Sequence, residues 1–193
     1  NGFDEDIVKD EIARLNKLSG TQGWLYKNYS GMYLRDVRGQ TKPQWRPRAF
    51  KDFNAMKLDS IFEDIHSMPS SNEKDALLFS AVIAMNKVFN GTNDQKSSLK
   101  EWSKASTRAV CLEMPTNISG VTGTVENCDI FESKNTTVDV VYLDPPYTTG
   151  VLYDACYHLN DSVVLWDKPA VDTSYALPRP DRVCFRKNAK CAG

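Results

Sequence analysis

Residues 138–147 read Val-Asp-Val-Val-Tyr-Leu-Asp-Pro-Pro-Tyr, an apolar, β-branched run that ends in an acid, two prolines and an aromatic residue. The run predicts a buried strand, and the prolines end it abruptly because they lack the N–H donor that a strand needs. Asp144 would therefore lie at the carboxyl end of a strand, where open α/β sheets bind their ligands. A carboxylate, a carbonyl held in one direction by proline and an aromatic face suit the binding of a planar amino group.

The composition is that of a globular chain without an overall basic excess. With 193 residues, of which 41% are hydrophobic, the chain fits one domain, or one domain with a small inserted lobe. The net charge is −1, so any contact with nucleic acid has to come from a local basic patch. Basic residues cluster at 42–51 and at 179–190, and each cluster fits a phosphate contact and a solvated face equally well.

Cysteine usage and hydropathy point to a reducing, aqueous compartment. The five cysteines are odd in number and include no Cys-x-x-Cys pair, which argues against a zinc site and against a disulfide framework. No signal peptide is visible, and no apolar run approaches the length of a membrane span. We therefore expect a soluble, cytoplasmic protein without a metal site.

Helical patterns dominate the first half of the chain and strand patterns the second. Apolar residues at helical spacing predict four helices, over residues 7–15, 53–65, 73–89 and 156–165. The third is apolar enough to be buried on two sides. A polar, basic stretch at about 31–48 predicts a loop, and 99–104 predicts a short helical piece. Alternation predicts strands over 109–114 and 121–128, ahead of the continuous run at 138–143.

Asp-Pro-Pro-Tyr after an apolar strand resembles motif IV of the amino-methyltransferases, and other segments extend the likeness along nearly the whole chain. In their order they are similar to the D12 class of DNA adenine-N6 methyltransferases. The segments lie at residues 15–18, 23–30, 54–61, 77–90, 99–102, 153–159, 167–169 and 179–187. The resemblance implies an α/β fold, with a partial Rossmann-like methyltransferase sheet and a mainly helical insert for target recognition. Residues 1–19 would form the lead-in helix of the core, 20–108 the insert, and 109–193 the catalytic strands with a basic carboxyl-terminal segment.

The resemblance also implies an activity. Enzymes of this class transfer a methyl group from S-adenosylmethionine to N6 of an adenine in double-stranded DNA, in a restriction-modification or a stand-alone modification system. The amino group cannot be reached inside a duplex, so the adenine has to be flipped out. Asp144 and the Pro145 carbonyl would accept hydrogen bonds from this amino group. Tyr147 would stack on the base, and Pro146 completes the predicted catalytic motif.

The residues that the resemblance assigns to the cofactor are Asp129, Ile130 and Asp144. Asp129 would accept a hydrogen bond from the adenine amine of S-adenosylmethionine, with Ile130 against the ring, although by position alone Asp129 fits an ordinary helix cap equally well. The early Phe-x-Gly-x-Gly loop of such enzymes is not found among the ten glycines. We therefore expect a missing amino-terminal half or a partner chain to carry the cofactor loop, with a degenerate remnant as the alternative.

A second set of residues is assigned to the DNA substrate. By resemblance Tyr153, Tyr157 and His158 lie near the flipped base, although a lone histidine is more often structural. The remaining predicted contacts to DNA are Trp45, Arg46, Arg48, Lys51 and Arg182. Two other functions stay open at this point, an RNA guanine-N2 methyltransferase and a catalytically inactive DNA-binding remnant. Binding of S-adenosylmethionine would separate an enzyme from such a remnant.

Overall fold

The computed structural model describes residues 2–35, 44–92, 95, 98–116, 123–126, 128, 130–132, 139–144 and 153–171, with the backbone alone at residues 35, 44, 130 and 153–155. The described residues combine helices with a small antiparallel sheet, which is compatible with the α/β class. In chain order the elements are α1 (Glu5–Leu15), α2 (Trp24–Tyr29), β1 (Met32–Arg35), β2 (Gln44–Pro47), α3 (Asp52–Ser67), α4 (Asn72–Val88), a 3-10 turn (Ile130–Glu132) and α5 (Tyr153–Leu165).

The first helix begins where the sequence provides an acceptor for its unpaired N–H groups. Asp4 caps α1, and its carboxylate accepts hydrogen bonds from the backbone N–H groups of Asp6, at 3.0 Å, and Ile7, at 3.2 Å. Such a carboxylate also interacts favourably with the positive end of the helix dipole. The helix buries Val8 and Ile12 on one face and packs against α4. The helix predicted over residues 7–15 is therefore confirmed, and it begins two residues earlier than predicted.

The two long helices α3 and α4 form the centre of the core. Leu58, Phe62 and Ile65 are fully buried at helical spacing on α3. The α4 helix begins after Ser71, whose hydroxyl accepts a hydrogen bond from the backbone N–H of Lys74 at 3.2 Å. Both predicted helices are confirmed, with ends that differ from the expected ones by one or two residues, as frayed helix ends commonly do.

The α4 helix is buried on one side rather than on two. The helices α1, α3 and α5 pack against it. On its outer side Phe79 is 57% exposed and Ile83 is 42% exposed. The predicted burial on two sides is wrong, because among the described residues no element covers this outer face.

Residues from distant parts of the sequence share one hydrophobic cluster. It includes Val8 from α1, Leu58 from α3, Leu77 from α4 and Leu159 from α5. The predicted last helix is thus confirmed as α5, which begins three residues earlier than the pattern indicated. Within the described part of the chain, no helix is both long and apolar enough to cross a membrane.

Two lysines of the core bind backbone carbonyls at the carboxyl ends of other helices. The Lys57 ammonium donates to the backbone carbonyl of Asn16, at 2.9 Å, and to that of Leu18, just beyond α1. The Lys74 ammonium does the same beyond α3, donating to the carbonyls of His66 at 3.1 Å and Met68 at 2.8 Å. Helix carboxyl ends leave carbonyls unpaired and carry a partial negative charge, so a cation is favourable at both places. Burial lowers the pKa of Lys57.

The region predicted as a loop at 31–48 contains a β-hairpin. The strands β1 and β2 pair antiparallel, with Leu34 opposite Trp45 and Met32 opposite Pro47. The loop prediction is therefore wrong at 32–35 and 44–47, where the glycines and prolines of the region hid two short strands.

The prediction of a short helical piece at 99–104 is also wrong. The described residues there make no helix, and the nearest turn lies at 104–107.

The strand predicted at 109–114 has the expected alternation but no strand ladder. Val110 and Leu112 are buried, whereas their neighbours are exposed. Their backbone groups pair with side-chain amides instead of another strand. The Val110 N–H donates to Asn54 Oδ1 at 2.8 Å, and Leu112 exchanges two hydrogen bonds with the Asn16 amide, at 2.8 and 3.0 Å. The alternation therefore correctly predicted which side chains are buried. The hydrogen-bond partners of this extended segment are two asparagine side chains instead of a neighbouring strand.

The apolar run at 138–143 does not form a buried strand in its described part, residues 139–143. Val140 is 84% exposed and Tyr142 is 86% exposed, and neither lies in a ladder. The described residues of 121–128 are not in a strand either. A parallel strand needs neighbours on both sides and cover on both faces, and the described residues provide neither for this run. The expected Rossmann-like sheet is thus not found among them.

Candidate functional site

Asp144 is the one residue of the Asp-Pro-Pro-Tyr motif that the structure describes. Its carboxylate is exposed at the end of the segment 139–144, so it is open to accept hydrogen bonds from a ligand. The other predicted catalytic and cofactor positions of this region lie outside the described residues, namely Asp129, Pro145, Pro146 and Tyr147. The same holds for Arg182. Ile130 lies in the 3-10 turn, and nothing is described of its side chain.

The α5 helix carries the three residues assigned to the flipped base, and the structure separates their roles. Tyr153 begins the helix, with only its backbone described. Tyr157 is 48% exposed, whereas His158 is 3% exposed and its ring centroid lies 5.9 Å from that of Tyr29. His158 therefore fits the structural interpretation of a lone histidine, whereas about half of the Tyr157 side chain is exposed. The contact with Tyr29 ties α5 to α2, the helix of the Asn28-Tyr29-Ser30 segment.

The predicted DNA contacts on β2 and just after it differ in accessibility. Trp45 is 65% exposed, whereas Arg46 is 9% exposed. Arg48 donates to the Asn28 carbonyl at 2.8 Å, and its guanidinium carbon lies 5.4 Å from the centroid of a tyrosine ring of β1. The Lys51 ammonium lies 4.3 Å from the centroid of the Trp102 ring. Both cations are thus held over aromatic faces, a geometry that fixes their position near the surface.

Asp59 is a buried acid that the sequence analysis did not single out, and it holds α2 in place. Its carboxylate accepts hydrogen bonds from the backbone N–H groups of Gly23 at 3.0 Å, Leu25 at 2.8 Å and Tyr26 at 2.8 Å. Burial raises the pKa of Asp59, and the three N–H donors act in the opposite direction. Glycine is required at position 23, because a Cβ there would lie 2.6 Å from Asp59 Cγ.

Two amide side chains also hold distant segments in place through hydrogen bonds to backbone groups. Asn54 is fully buried and, besides accepting from residue 110, donates to the Arg108 carbonyl at 2.7 Å. The Gln95 side chain accepts from the backbone N–H groups of Leu159, at 3.0 Å, and Asn160, at 3.2 Å, and so ties its own loop to α5. Asn54 and Asp59 both lie in the segment 54–61 of the resemblance, which reads Asn-Ala-Met-Lys-Leu-Asp-Ser-Ile. That segment was the only signal for them in the sequence, and it gave no role.

The segment after α5 is fixed against α3 by a cluster around Trp166. Glu63 accepts hydrogen bonds from Trp166 Nε1 at 2.9 Å and from the Lys168 ammonium at 2.6 Å. The Trp166 ring is stacked on His66, with an interplanar angle of 8° and centroids 5.8 Å apart. Trp166 and Lys168 have φ angles of +51° and +47°, which non-glycine residues rarely adopt. The ion pair and the ring contacts therefore hold a strained backbone in place.

Acid should loosen this cluster. Hydrogen bonds from Lys168 and Trp166 hold the pKa of Glu63 below its ordinary value of 4.5. A carboxyl group whose pKa is lower in the folded state than in the unfolded state stabilises the fold at pH values above its unfolded pKa. This contribution is lost as the pH falls through its folded pKa. We expect tryptophan fluorescence to report a transition below about pH 4.5 that a Glu63→Gln variant lacks. The pair is exposed, so the free energy of unfolding should change by about 1 kcal/mol or less. An unchanged acid transition in the variant would assign it to other carboxylates.

The exposed carboxylate of Asp144 lies in the Asp-Pro-Pro-Tyr motif, and α5, which follows this motif in the sequence, packs on α4. The chain belongs to the D12 class of N6 adenine-specific DNA methyltransferases, whose family model matches residues 4–171. The family predicted from the sequence is therefore confirmed.

Among individual proteins, the chain is similar to the Type II methyltransferase M.NlaIII of Neisseria lactamica. The two are 28% identical over 163 residues, which cover 81% of this chain and 46% of that protein. The chain thus spans about half the length of the curated relative that it matches. No solved structure matches the chain.

Proposed function

We propose that the chain contains the base-binding side of an enzyme that methylates N6 of adenine in double-stranded DNA. Membership of the D12 family over residues 4–171 supports this proposal. The observation that carries it is the exposed carboxylate of Asp144 within the Asp-Pro-Pro-Tyr motif. The helix α5, which follows this motif in the sequence, is joined to α2 by the ring contact between Tyr29 and His158.

The chemistry that we propose for the motif concerns the adenine amino group. This nitrogen is a poor nucleophile because its lone pair is delocalised into the ring. Asp144 and the Pro145 carbonyl accept its two N–H hydrogen bonds and so concentrate the lone pair on the nitrogen. Tyr147 stacks on the flipped base and returns about 1–3 kcal/mol toward the cost of unstacking it.

S-adenosylmethionine is the proposed methyl donor, since the family depends on it. Its methyl group would pass from the sulfonium sulfur to N6, with a neutral thioether as the leaving group and the release of one proton from the nitrogen. We assign Asp129, Ile130 and Asp144 to its binding. Of these, the side chain of Asp144 alone is described, and its open carboxylate fits the role of hydrogen-bond acceptor. The cofactor loop is proposed to come from an amino-terminal half or a partner chain.

The domain organisation and the sheet belong to the same proposal. We assign residues 1–19 and 109–193 to the methyltransferase core and 20–108 to target recognition, and we place the enzyme in the cytoplasm. In the complete core, the run at 138–143 would be a central strand of a Rossmann-like sheet. Its four large apolar side chains, at least 65% exposed among the described residues, gain most from such cover.

Transfer of a labelled methyl group tests the proposed function. The chain is incubated with labelled S-adenosylmethionine and duplex DNA, alone and together with the cofactor-loop half of a related D12 enzyme. We expect the label in N6-methyladenine, and we expect duplexes whose adenines are already N6-methylated to accept none. A structured RNA is the matched alternative substrate. Label in RNA guanine, or cofactor binding without transfer to any duplex, would contradict the proposal.

A further inference from the structure

An open pocket of about 580 Å³ lies between the hairpin and the segment that follows α4. Its walls include two tryptophans, one lysine and one glutamate, and none of its residues belongs to 139–144 or to α5. The lining residues are Met32, Trp45, Pro47, Lys100, Glu101 and Trp102. Its volume falls within the roughly 300–1,000 Å³ of small-ligand pockets.

The register of the hairpin produces the aromatic wall. Met32 is opposite Pro47 and Leu34 is opposite Trp45, so these side chains share one face of the two-stranded sheet. Trp45 is 65% exposed on this face and cannot be explained as a core residue. An exposed indole beside a pocket offers a flat surface on which a planar ligand can stack.

The opposite wall is fixed to the hairpin by hydrogen bonds rather than by a loose loop contact. Ser98 Oγ donates to the Pro47 carbonyl at 2.6 Å, and the Leu99 N–H donates to the Asn90 carbonyl at 2.9 Å. The Asn90 N–H in turn donates to the Ala49 carbonyl at 2.7 Å. These bonds hold Lys100 and Trp102 next to β2, so the pocket is a built feature of the described structure.

The pocket lining holds one cation and one anion, and Lys51 beside Trp102 brings the net charge around the pocket to +1, which favours a ligand with a phosphate and a flat apolar part. The Lys51 ammonium lies 4.3 Å from the Trp102 ring centroid, and Lys100 lies exposed on the rim. Within the described part of the chain, Lys100 is in no ion pair, and Glu101 is the one acid of the lining. Aromatic faces combined with cations are the usual means of holding a nucleobase and its neighbouring phosphates.

We propose that this pocket binds an unstacked nucleobase of the DNA substrate, which stacks on Trp45 while Lys100 and Lys51 face the flanking phosphates. The inference rests on the proposed function, because flipping a base out of a duplex leaves bases without stacking partners. It adds a second base-binding site, made of the hairpin and residues 98–102, to the motif that holds the target adenine.

Binding of two matched duplexes tests this site without any methyl transfer. One duplex carries an unpaired thymine opposite an abasic position, and the other is fully paired; thymine is used because it is not the base of the proposed reaction. Stacking of about 1–3 kcal/mol predicts that fluorescence anisotropy will give roughly 5- to 150-fold tighter binding of the first duplex. The Trp45→Ala variant should lose this preference, and Trp45→Phe should keep part of it.

Two further variants serve as controls. Phe79→Ala removes an aromatic side chain of similar exposure, 57% against 65% for Trp45, from α4 and should keep the preference. Lys100→Ala should weaken binding of both duplexes alike and lower the slope of log affinity against log salt by about one. Thermal unfolding of Trp45→Ala should match the unchanged chain, since this side chain is mostly exposed.

The outcomes separate this inference from the proposed function. A preference that survives Trp45→Ala, or binding of the two duplexes with equal affinity, overturns the nucleobase site and leaves the methyl-transfer assay unaffected. Absence of binding to either duplex overturns the site as well. The proposed function falls separately, by the failure of labelled transfer once cofactor is bound.

Discussion

Replacing Asp144 with alanine is expected to abolish methyl transfer to DNA while leaving duplex binding intact. The carboxylate is exposed in the described structure, so its removal empties no core and leaves no buried partner. Its proposed part is to accept a hydrogen bond from the adenine amine while the nitrogen becomes nucleophilic. Removal of one preorganised hydrogen-bonding group from an active site commonly costs on the order of 10²–10³-fold in rate, and we expect a loss at least that large. Single-turnover transfer of labelled methyl measures it.

The same segment offers a matched control. Asp139 is an exposed acid five residues before Asp144, and Asp139→Ala should retain transfer. Asp144→Asn should keep only part of the activity, because its amide offers one oxygen acceptor and turns an N–H group toward the amine. Equal losses in the Asp139 and Asp144 variants would point to damage of the segment rather than to chemistry. Full activity of Asp144→Ala would sink the assignment of the motif.

Helix positions were the part of the fold that the sequence predicted best. Each of α1, α3, α4 and α5 buries one apolar face, and such a face repeats every 3.6 residues in the sequence. The short helix α2 gave no such signal. It has six residues, and its first turn is stabilised by the distant Asp59 instead of a cap within its own sequence.

Strand predictions failed for a physical reason that differs from case to case. Alternation at 109–114 predicted which side chains are buried, but the partners of this segment are Asn16 and Asn54, which lie far away in sequence. The run at 138–143 has the composition of a central strand, yet a strand depends on neighbours that no local pattern describes. The hairpin was hidden because its glycines and prolines are equally typical of loops.

Site residues could be predicted where a sequence motif indicates their chemistry. They could not be predicted where their position depends on contacts between distant segments. Asp144 came from the motif, and the confirmed family followed from the order of the segments. The interpretation of His158 as a structural residue agrees with its burial against Tyr29. Trp102 as the aromatic partner of Lys51 could not be predicted, because it depends on how residues 98–102 lie beside the hairpin.

Replacing Asp59 with alanine is expected to give the largest loss of stability among single changes outside the apolar core. The variant would leave three backbone N–H groups near the core without their acceptor, those of Gly23, Leu25 and Tyr26. Hydrogen bonds to a charged group contribute about 1.5–3 kcal/mol each, and unsatisfied buried donors cost more than the bond itself. We expect the free energy of unfolding to fall by about 3 kcal/mol or more, measured by urea denaturation. Asp64→Ala, which removes a partly exposed ion pair with Arg14 from the same helix, should cost about 1 kcal/mol or less.

The pH dependence of the free energy of unfolding separates the contribution of the Asp59 charge from that of the side chain's shape. Because burial raises the pKa of Asp59 above its ordinary value of 3.8, the folded chain holds this proton to a higher pH than the unfolded chain does. Stability from this group therefore decreases as the pH rises from the unfolded pKa to the folded one and stays level above it. Asp59→Asn has no such titration, so its deficit relative to the unchanged chain should narrow as the pH rises through that window. A deficit that instead widens would mean that the three N–H donors outweigh burial. In that case the carboxylate would hold α2, and with it Tyr29 against His158, mainly through its negative charge.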